Sequence, residues 1–189
     1  MVVRRSVVLG GLAALGGCAG LQAPGAGLPV LPPPLPGAYR LGAGDVLTLR
    51  IYDQPQLSGT FDVDDSGMID LPLLGLVRAA GLGTDALAAG IARGLVAGGL
   101  ILHPSVAVEV STYRPFYILG EVNKPGQYPF ENGMTVMDAV ATAGGFTYRA
   151  NEKVIFVRQH GDEKEQKIRL SVGTAVQPGD TIRIAERFF

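Results

Sequence analysis

The stretch 113–129 reads Tyr-Arg-Pro-Phe-Tyr-Ile-Leu-Gly-Glu-Val-Asn-Lys-Pro-Gly-Gln-Tyr-Pro, and it sets the fold of the second half of the chain. Its apolar and aromatic residues at 116–119 predict a β-strand, because such side chains are enriched in strands. Residues 121–126 contain Asn, Pro and Gly, which predict a turn. A returning strand at 127–130 completes the predicted hairpin.

One helix and three more strands are predicted after this hairpin. Thr135 is placed to cap the helix, and the Gly-Gly pair at 144–145 ends it. The apolar side chains that share one face of this helix are Val136, Ala139, Val140 and Ala143. Strands are predicted at 154–158, 167–170 and 181–184. The order β-β-α-β-β-β matches a β-grasp arrangement, in which a sheet wraps around one helix.

The first half of the chain predicts a second set of strands around one helix, so the fold class is α+β. A strand at 46–51 follows a turn at 42–45, and a second strand leads into a hairpin turn at 65–67. Further strands are expected at 68–77 and 106–110.

The helix of the first half is expected to begin at Thr84 as its cap. Its buried face carries Leu87, Ile91 and Leu95, spaced four residues apart, and the Gly-Gly pair at 98–99 ends it.

A short repeat relates the two halves. Residues 41–47, Leu-Gly-Ala-Gly-Asp-Val-Leu, are echoed by residues 176–182, Val-Gln-Pro-Gly-Asp-Thr-Ile. The repeat indicates two related modules, although short turn-strand motifs also recur by chance.

The N-terminus predicts a lipoprotein signal peptide over residues 1–17. Arg4 and Arg5 precede an apolar run that is too short to span a bilayer, and Leu-Gly-Gly-Cys follows at 15–18. This motif resembles the lipobox of bacterial lipoproteins, which predicts lipidation of Cys18. The alternative is a signal peptide with a chance cysteine. Residues 18–38 are rich in Pro and Gly and predict a lipidated linker.

Composition argues against nucleic-acid binding and indicates a subunit of an oligomer. The formal net charge is −1, from 17 acidic and 16 basic residues, which gives no basic surface for binding nucleic acid. Charged residues make up only 17% of the chain, below the roughly 25% that is typical of soluble domains. The low charge predicts apolar surface of the kind that oligomeric subunits bury.

No metal, cofactor or catalytic site is predicted. The acidic stretch 62–67 resembles the start of a calcium loop, but the position that requires a bidentate acid is Leu73, which favours a solvated turn. His103 and His160 have no second ligand at metal spacing.

Aromatic and polar residues of the stretch 113–129 are the candidate binding residues. Aromatic faces beside polar donors suit sugar rings, and an edge hairpin equally suits contact with a neighbouring subunit. The residues expected to contact a glycan or a subunit are Tyr113, Arg114, Tyr117, Glu121, Lys124 and Tyr128.

Several motifs together resemble a known family. Residues 39–47 and 66–72 resemble the polysaccharide export domain of Wza-type outer-membrane proteins. Residues 113–127, 133–136 and 143–146 resemble the soluble-ligand-binding β-grasp (SLBB) module that follows it. The resemblance implies an α/β export domain at 39–112 and an SLBB-type domain at 113–189.

This resemblance implies a lipoprotein without enzymatic activity that forms a homo-oligomeric ring for export of capsular polysaccharide or exopolysaccharide. Its expected partners are the polysaccharide and an inner-membrane copolymerase. The lipid holds the protein at the outer membrane, with the folded part in the periplasm. The chain resembles the short members of the family, and the role of Phe188 and Phe189 stays open. The alternatives are a monomeric glycan-binding or sensing lipoprotein and, more distantly, a glycan lyase that uses Tyr113 and Arg114.

Overall fold

The structure, a computed structural model, describes residues 27–31 and 39–187. Two separate clusters of buried apolar side chains organise it, one in each half of the chain. The half at 39–112 is called the N-terminal module below, and the half at 113–187 the C-terminal module. Cys18, the predicted signal peptide and Phe188 and Phe189 lie outside the described residues.

The N-terminal module is built on a three-stranded antiparallel sheet with one helix. Strand β1 (Val46–Ile51) lies between β2 (Gly59–Asp62) and β5 (Val106–Thr112). A 3-10 helix at Pro55–Leu57 connects β1 to β2, and β3 (Met68–Leu71) pairs with β4 (Gly75–Arg78) as a separate ribbon. Helix α1 (Thr84–Ala97) buries its predicted apolar face completely against this core.

The C-terminal module has a five-stranded sheet in the order β7-β6-β10-β8-β9. The strands are β6 (Phe116–Gly120), β7 (Gly126–Tyr128), β8 (Ala150–Arg158), β9 (Gln166–Arg169) and β10 (Thr181–Glu186). Helix α2 (Val136–Thr142) packs on one face of this sheet through the four apolar residues predicted for it. The predicted α+β class and the order β-β-α-β-β-β are confirmed.

Strands β6 and β10 run parallel in the middle of this sheet, whereas the other pairs are antiparallel. Their approach depends on Gly120, which has a φ of 83°. A Cβ atom at this position would lie 2.2 Å from the carbonyl oxygen of Ile184. Glycine is therefore required where β6 ends beside β10.

The predicted N-terminal cap is present at helix α2 and absent at helix α1. At α2, Thr135 accepts a hydrogen bond from the backbone N–H of Asp138, whose carboxylate accepts in return from the backbone N–H of Thr135, so the predicted cap is a complete capping box. At α1, the prediction of Thr84 as the cap is wrong. Gly83 has the extended backbone of the cap, and Thr84 is the first helical residue, where its side chain caps nothing.

The predicted turn at 65–67 is present, but it does not join two strands of one sheet. The carboxylate of Asp64 accepts hydrogen bonds from the backbone N–H groups of Ser66 and Met68, and these bonds close the turn. The strands on either side belong to different sheets, because β2 pairs with β1 and β3 pairs with β4. The predicted hairpin is therefore a crossing between sheets.

Part of the predicted linker contacts the C-terminal module. The carbonyl oxygen of Pro29 accepts a hydrogen bond of 3.0 Å from the backbone N–H of Arg169, on the edge strand β9. Leu31 packs against the apolar core of this module. Residues 27–31 thus cover part of a sheet edge instead of serving only as a spacer.

Among the described residues, no helix is long and apolar enough to cross a membrane.

The two helix starts provide a matched test. We expect Thr135→Ala to lower the free energy of unfolding by about 1 kcal/mol, because it removes the cap of α2. Thr84→Ala should change it by less than about 0.5 kcal/mol, because alanine is a good helix former at an uncapped first position. Urea denaturation of both variants measures the difference, and equal losses would contradict the assignment of the caps.

Candidate functional site

The two modules are joined through Arg114, in the three-residue connection between β5 and β6. Its backbone N–H donates to Oδ1 of Asp45 at 3.0 Å. Its side chain donates from Nε to the carbonyl oxygen of Pro178 at 3.0 Å and from Nη2 to the carbonyl oxygen of Arg40 at 3.3 Å. One residue therefore contacts both copies of the sequence repeat.

The repeated sequences form the same turn in both modules. The carboxylate of Asp45 accepts from the backbone N–H of Gly42 at 2.8 Å, and that of Asp180 accepts from the backbone N–H of Gln177 at 2.9 Å. The preceding glycines, Gly44 and Gly179, have φ values of 87° and 86°, and a strand starts directly after each aspartate. We call residues 42–45 and 177–180 the two Gly-Asp turns.

The carboxylate of Asp45 is fully buried and has several donors. Besides Gly42 and Arg114, the hydroxyl of Tyr39 donates to it at 2.6 Å. Burial and this hydrogen bond raise the pKa of Tyr39 far above its usual range, so its hydroxyl remains a donor at all ordinary pH values. The ring of Tyr39 also lies 5.6 Å from the guanidinium of Arg114, within range of a cation–π interaction.

The carboxylate of Asp180 is equally buried but less well satisfied. Its Oδ1 atom accepts no hydrogen bond of good geometry from the described residues. Burial raises the pKa of Asp180 to about 6, although the backbone N–H groups of Gln177 and His160 and the charge of Arg114 oppose the shift. The pKa of the neighbouring His160 is lowered by burial and by Arg114. This corner thus holds a buried carboxylate that favours its protonated form beside an imidazole that favours its neutral form.

Two adjoining cavities of about 390 Å³ and 200 Å³ open at this junction. Both are lined by Arg40, Arg114 and His160, and we call them together the junction cleft. The larger cavity continues along the turn at 65–67, and the smaller one reaches Asp162 and Asp180. The junction cleft therefore offers guanidinium donors and carboxylate acceptors to a polar ligand. No group of three or more potential metal ligands occurs in the described part of the chain.

Two of the six predicted contact residues lie at this junction. Arg114 lines the cleft, whereas the ring of Tyr113 is packed between Tyr39 and Phe130, with ring centres 5.1 Å and 5.4 Å away. Tyr113 therefore supports the junction instead of facing the cleft.

The structure does not bring the other four predicted residues together. Tyr117 is 43% exposed on the sheet face opposite the helix, because side chains alternate along β6. The remaining three bond elsewhere: Glu121 accepts from the hydroxyl of Thr147, which follows helix α2, and the carbonyl oxygen of Lys124 accepts from the hydroxyl of Tyr128 at 2.7 Å. The six residues are thus spread over three surfaces.

The sequence interpretation missed four residues of the junction: Tyr39, Asp45, His160 and Asp180. The repeat at 41–47 and 176–182 was the signal for the two aspartates. Nothing in the sequence indicated that the repeated turns meet at Arg114, because that contact depends on the packing of the two modules.

Removal of the Tyr39 hydroxyl tests how much the Asp45 network contributes. We expect Tyr39→Phe to lower the free energy of unfolding by about 1–3 kcal/mol, because a buried carboxylate loses a donor. The matched control is Tyr113→Phe, since the Tyr113 ring packs against Tyr39 and Phe130 at the same junction but its hydroxyl makes no hydrogen bond to the described residues. Chemical denaturation of both variants should separate them, and similar losses would show that the hydrogen bond from Tyr39 to Asp45 contributes no more than an unbonded hydroxyl does.

The raised pKa of Asp180 predicts a pH-dependent stability. The pKa of this carboxyl is about 6 in the folded state against 3.8 normally, so its stabilising effect is complete below pH 3.8 and is lost as the pH rises through 6. The free energy of unfolding of wild type minus that of Asp180→Asn should therefore fall by on the order of 3 kcal/mol between pH 4 and pH 7. Urea denaturation across this range measures it, and a constant difference would refute the shift.

Two family models match the chain. Residues 33–111 match a model described as polysaccharide biosynthesis/export protein, and residues 115–169 match the SLBB domain.

Curated relatives carry names that agree with these families. Exopolysaccharide production protein ExoF of Rhizobium meliloti (strain 1021) is 34% identical over 160 residues, which cover 79% of this chain and 36% of the relative. EPS I polysaccharide export outer membrane protein EpsA of Ralstonia nicotianae is 26% identical over 183 residues, which cover 79% of this chain and 48% of the relative. An EpsA protein of Ralstonia solanacearum is 29% identical over 133 residues, which cover 57% and 35%.

The chain thus spans between about a third and a half of the length of these relatives. The names refer to production or export of polysaccharide and not to an enzymatic reaction. The two models follow one another in the order that the sequence motifs predicted. Residues 33–111 are therefore a polysaccharide biosynthesis/export domain, and an SLBB domain follows directly after it.

Proposed function

We propose that this protein is the subunit of a lipid-anchored ring through which a capsular polysaccharide or exopolysaccharide leaves the cell. The observation that carries the proposal is the export domain and SLBB domain in tandem, joined at a packed junction. The names of the relatives support export of polysaccharide as the process.

The junction suits a subunit that must keep one shape within a ring. Arg114 donates hydrogen bonds to groups of both Gly-Asp turns, and the rings of Tyr39 and Tyr113 pack against each other across the same boundary. A flexible connection would let the two modules turn independently, and subunits of differing shape do not close into a ring. A packed polar junction removes that freedom.

Exposed apolar side chains of the N-terminal module offer surface for contact between subunits. Leu73 and Leu76 of the β3–β4 ribbon are 73% and 65% exposed, and Leu102 before β5 is 79% exposed. Apolar surface of this kind is costly in water unless a partner covers it. We propose that neighbouring copies bury these leucines in the ring.

The outward face of the C-terminal sheet is the second surface for contact with the polymer or a neighbour. Tyr117 and Leu119 are exposed there on β6, and the guanidinium of Arg183 lies 4.0 Å from the ring centre of Phe156 on the adjacent strands. Aromatic and guanidinium groups on one face can stack on sugar rings and donate hydrogen bonds to hydroxyls. We therefore keep the proposal that Tyr117 contacts a glycan or a neighbouring subunit, now through this face of the sheet.

We propose the same membrane placement that the sequence predicts. Lipid on Cys18 would hold the ring at the outer membrane, with the folded part in the periplasm and an inner-membrane copolymerase as its partner. The lipobox resemblance implies several acyl chains on this cysteine, and several chains hold a protein far more firmly than one. Export by a passive conduit requires no catalytic group.

Replacement of the lipidated cysteine tests the anchored-conduit proposal. Deletion of the gene should abolish surface polysaccharide, and the wild-type gene should restore it. We expect Cys18→Ser to release folded protein into the periplasm and to leave export abolished, because the acyl anchor is lost. Gly20→Ser, outside the cleavage motif, is the matched control and should restore export. Quantified surface polymer and membrane fractionation give the result, and unchanged surface polymer in the deletion strain would refute the export function.

Particle size separates the ring from a monomeric glycan-binding lipoprotein. The junction cleft would serve such a monomer equally well, since a single chain contains all of it. Purified protein in detergent should elute and scatter light as a multimer. A strict monomer at high concentration would favour the binding protein.

A further inference from the structure

The two Gly-Asp turns differ in one atom. At the first turn, Oδ1 of Asp45 accepts from the hydroxyl of Tyr39 and from the backbone N–H of Arg114. At the second turn, Oδ1 of Asp180 is buried and accepts no hydrogen bond of good geometry from the described residues, although the backbone N–H of His160 lies near enough to the carboxylate to oppose the rise of its pKa. Both carboxylates hold their own turn through Oδ2. At the second turn, Oδ1 of Asp180 can therefore still accept a hydrogen bond.

The repeat explains why the donor is missing. Tyr39 stands six residues before Asp45, and the residue six positions before Asp180 is Thr174. The hydroxyl oxygen of Thr174 is bound to Ser171, at 2.9 Å from its backbone nitrogen and 3.0 Å from its Oγ. It is therefore engaged in its own loop. A buried carboxylate oxygen without a donor is costly, so a hydroxyl from outside the chain would be bound favourably there.

Two arginines line the same space. The smaller cavity of the junction cleft, about 200 Å³, is lined by Asp162 and Asp180 and by Arg40 and Arg114. Neither arginine side chain forms a salt bridge with a described residue, whereas Arg149 and Arg183 each pair with a glutamate. The hydrogen bonds of the Arg114 side chain go to neutral carbonyl oxygens. A guanidinium group that has no carboxylate partner within the protein can bind the carboxylate of a ligand through paired hydrogen bonds.

We infer that the junction cleft binds one sugar residue that carries a carboxylate, with a sugar hydroxyl on Asp180 and the sugar carboxylate facing Arg40 and Arg114. A neutral sugar would satisfy Asp180 and leave both arginines without an anion. A simple anion would face the arginines but offer no hydroxyl to the aspartate. A ligand that carries both groups on one ring offers a donor to the aspartate and an anion to the arginines.

This site deepens the proposed export function by naming an acidic polysaccharide as its substrate class, and it rests on that proposal for the source of the sugar. One exposed site per subunit with few contacts should bind at millimolar concentrations. Binding of this strength guides a polymer without holding it.

The test uses the purified chain with D-glucuronate, D-glucose and acetate as separate probes. Ligand titration followed by NMR of His160, which lines the cleft, should show saturable shifts with D-glucuronate. D-glucose and acetate should each bind at least about tenfold more weakly, since each lacks one of the two groups. The resonances of the exposed His103 should not move.

Variants assign the two contacts. Asp180→Asn should weaken D-glucuronate binding by about tenfold, and Arg40→Gln should bring it close to the level of D-glucose. The matched control is Arg50→Gln, an exposed arginine of β1 that does not line the cleft, and it should bind as wild type does. Arg40 is itself exposed, so its variant remains informative if Asp180→Asn does not fold.

The site is refuted if D-glucuronate causes no saturable shift at His160, or if D-glucose or acetate binds equally well. Failure of the export function gives a different result, because surface polymer would then persist in the deletion strain while D-glucuronate still binds. Loss of export on deletion without any D-glucuronate binding would remove the site alone.

Discussion

The contact of Arg114 with the two Gly-Asp turns is the interaction on which the arrangement of the protein depends. Each module has its own apolar core, and these cores do not merge. Between them lie the packed ring of Tyr113 and a set of hydrogen bonds, in which the backbone N–H and the guanidinium of Arg114 donate to acceptors on both sides. Hydrogen bonds require particular distances and directions, whereas apolar contacts tolerate sliding. The polar junction therefore fixes the relative orientation of two units that could each bury their apolar residues alone.

Two buried carboxylates, Asp45 and Asp180, lie at this contact. They are the only fully buried charged side chains among the described residues. Asp45 is held by three groups, so its charge is compensated by directed donors. Asp180 has fewer donors of good geometry, and burial raises its pKa. Two copies of one turn thus have different chemistry because of what surrounds them. The carboxylate of the first turn is held by three directed donors, whereas one oxygen of the second has no donor of good geometry among the described residues.

Local patterns in the sequence were sufficient for most of the secondary structure and for little of the junction. The capping box at Thr135 and the four-residue spacing in α1 act over one or two turns of chain, and both were visible. Thr84 was misassigned because Gly83, with no side chain to bond, takes the cap conformation. The turn at 65–67 was recognised, but its strands pair with other partners, and strand pairing is not encoded locally. The meeting of residues 45, 114 and 180 depends on contacts across 64 to 69 positions, which no short motif reports.

The place of β10 at the centre of the C-terminal sheet has a consequence for how the protein is made. Strand β10 is formed by Thr181–Glu186 and lies between β6 and β8, with Gly120 pressed against the carbonyl oxygen of Ile184. A chain that is synthesised from its N-terminus delivers these residues after all the strands they join. The strands of the N-terminal sheet can therefore pair early in synthesis. The C-terminal sheet cannot form until β10 is made, and Arg114 cannot donate its hydrogen bond to Pro178 before that residue is present. Addition of β10 therefore completes the core of the C-terminal module and aligns the two modules in one step. A chain that lacks β10 would have neither this core nor the alignment.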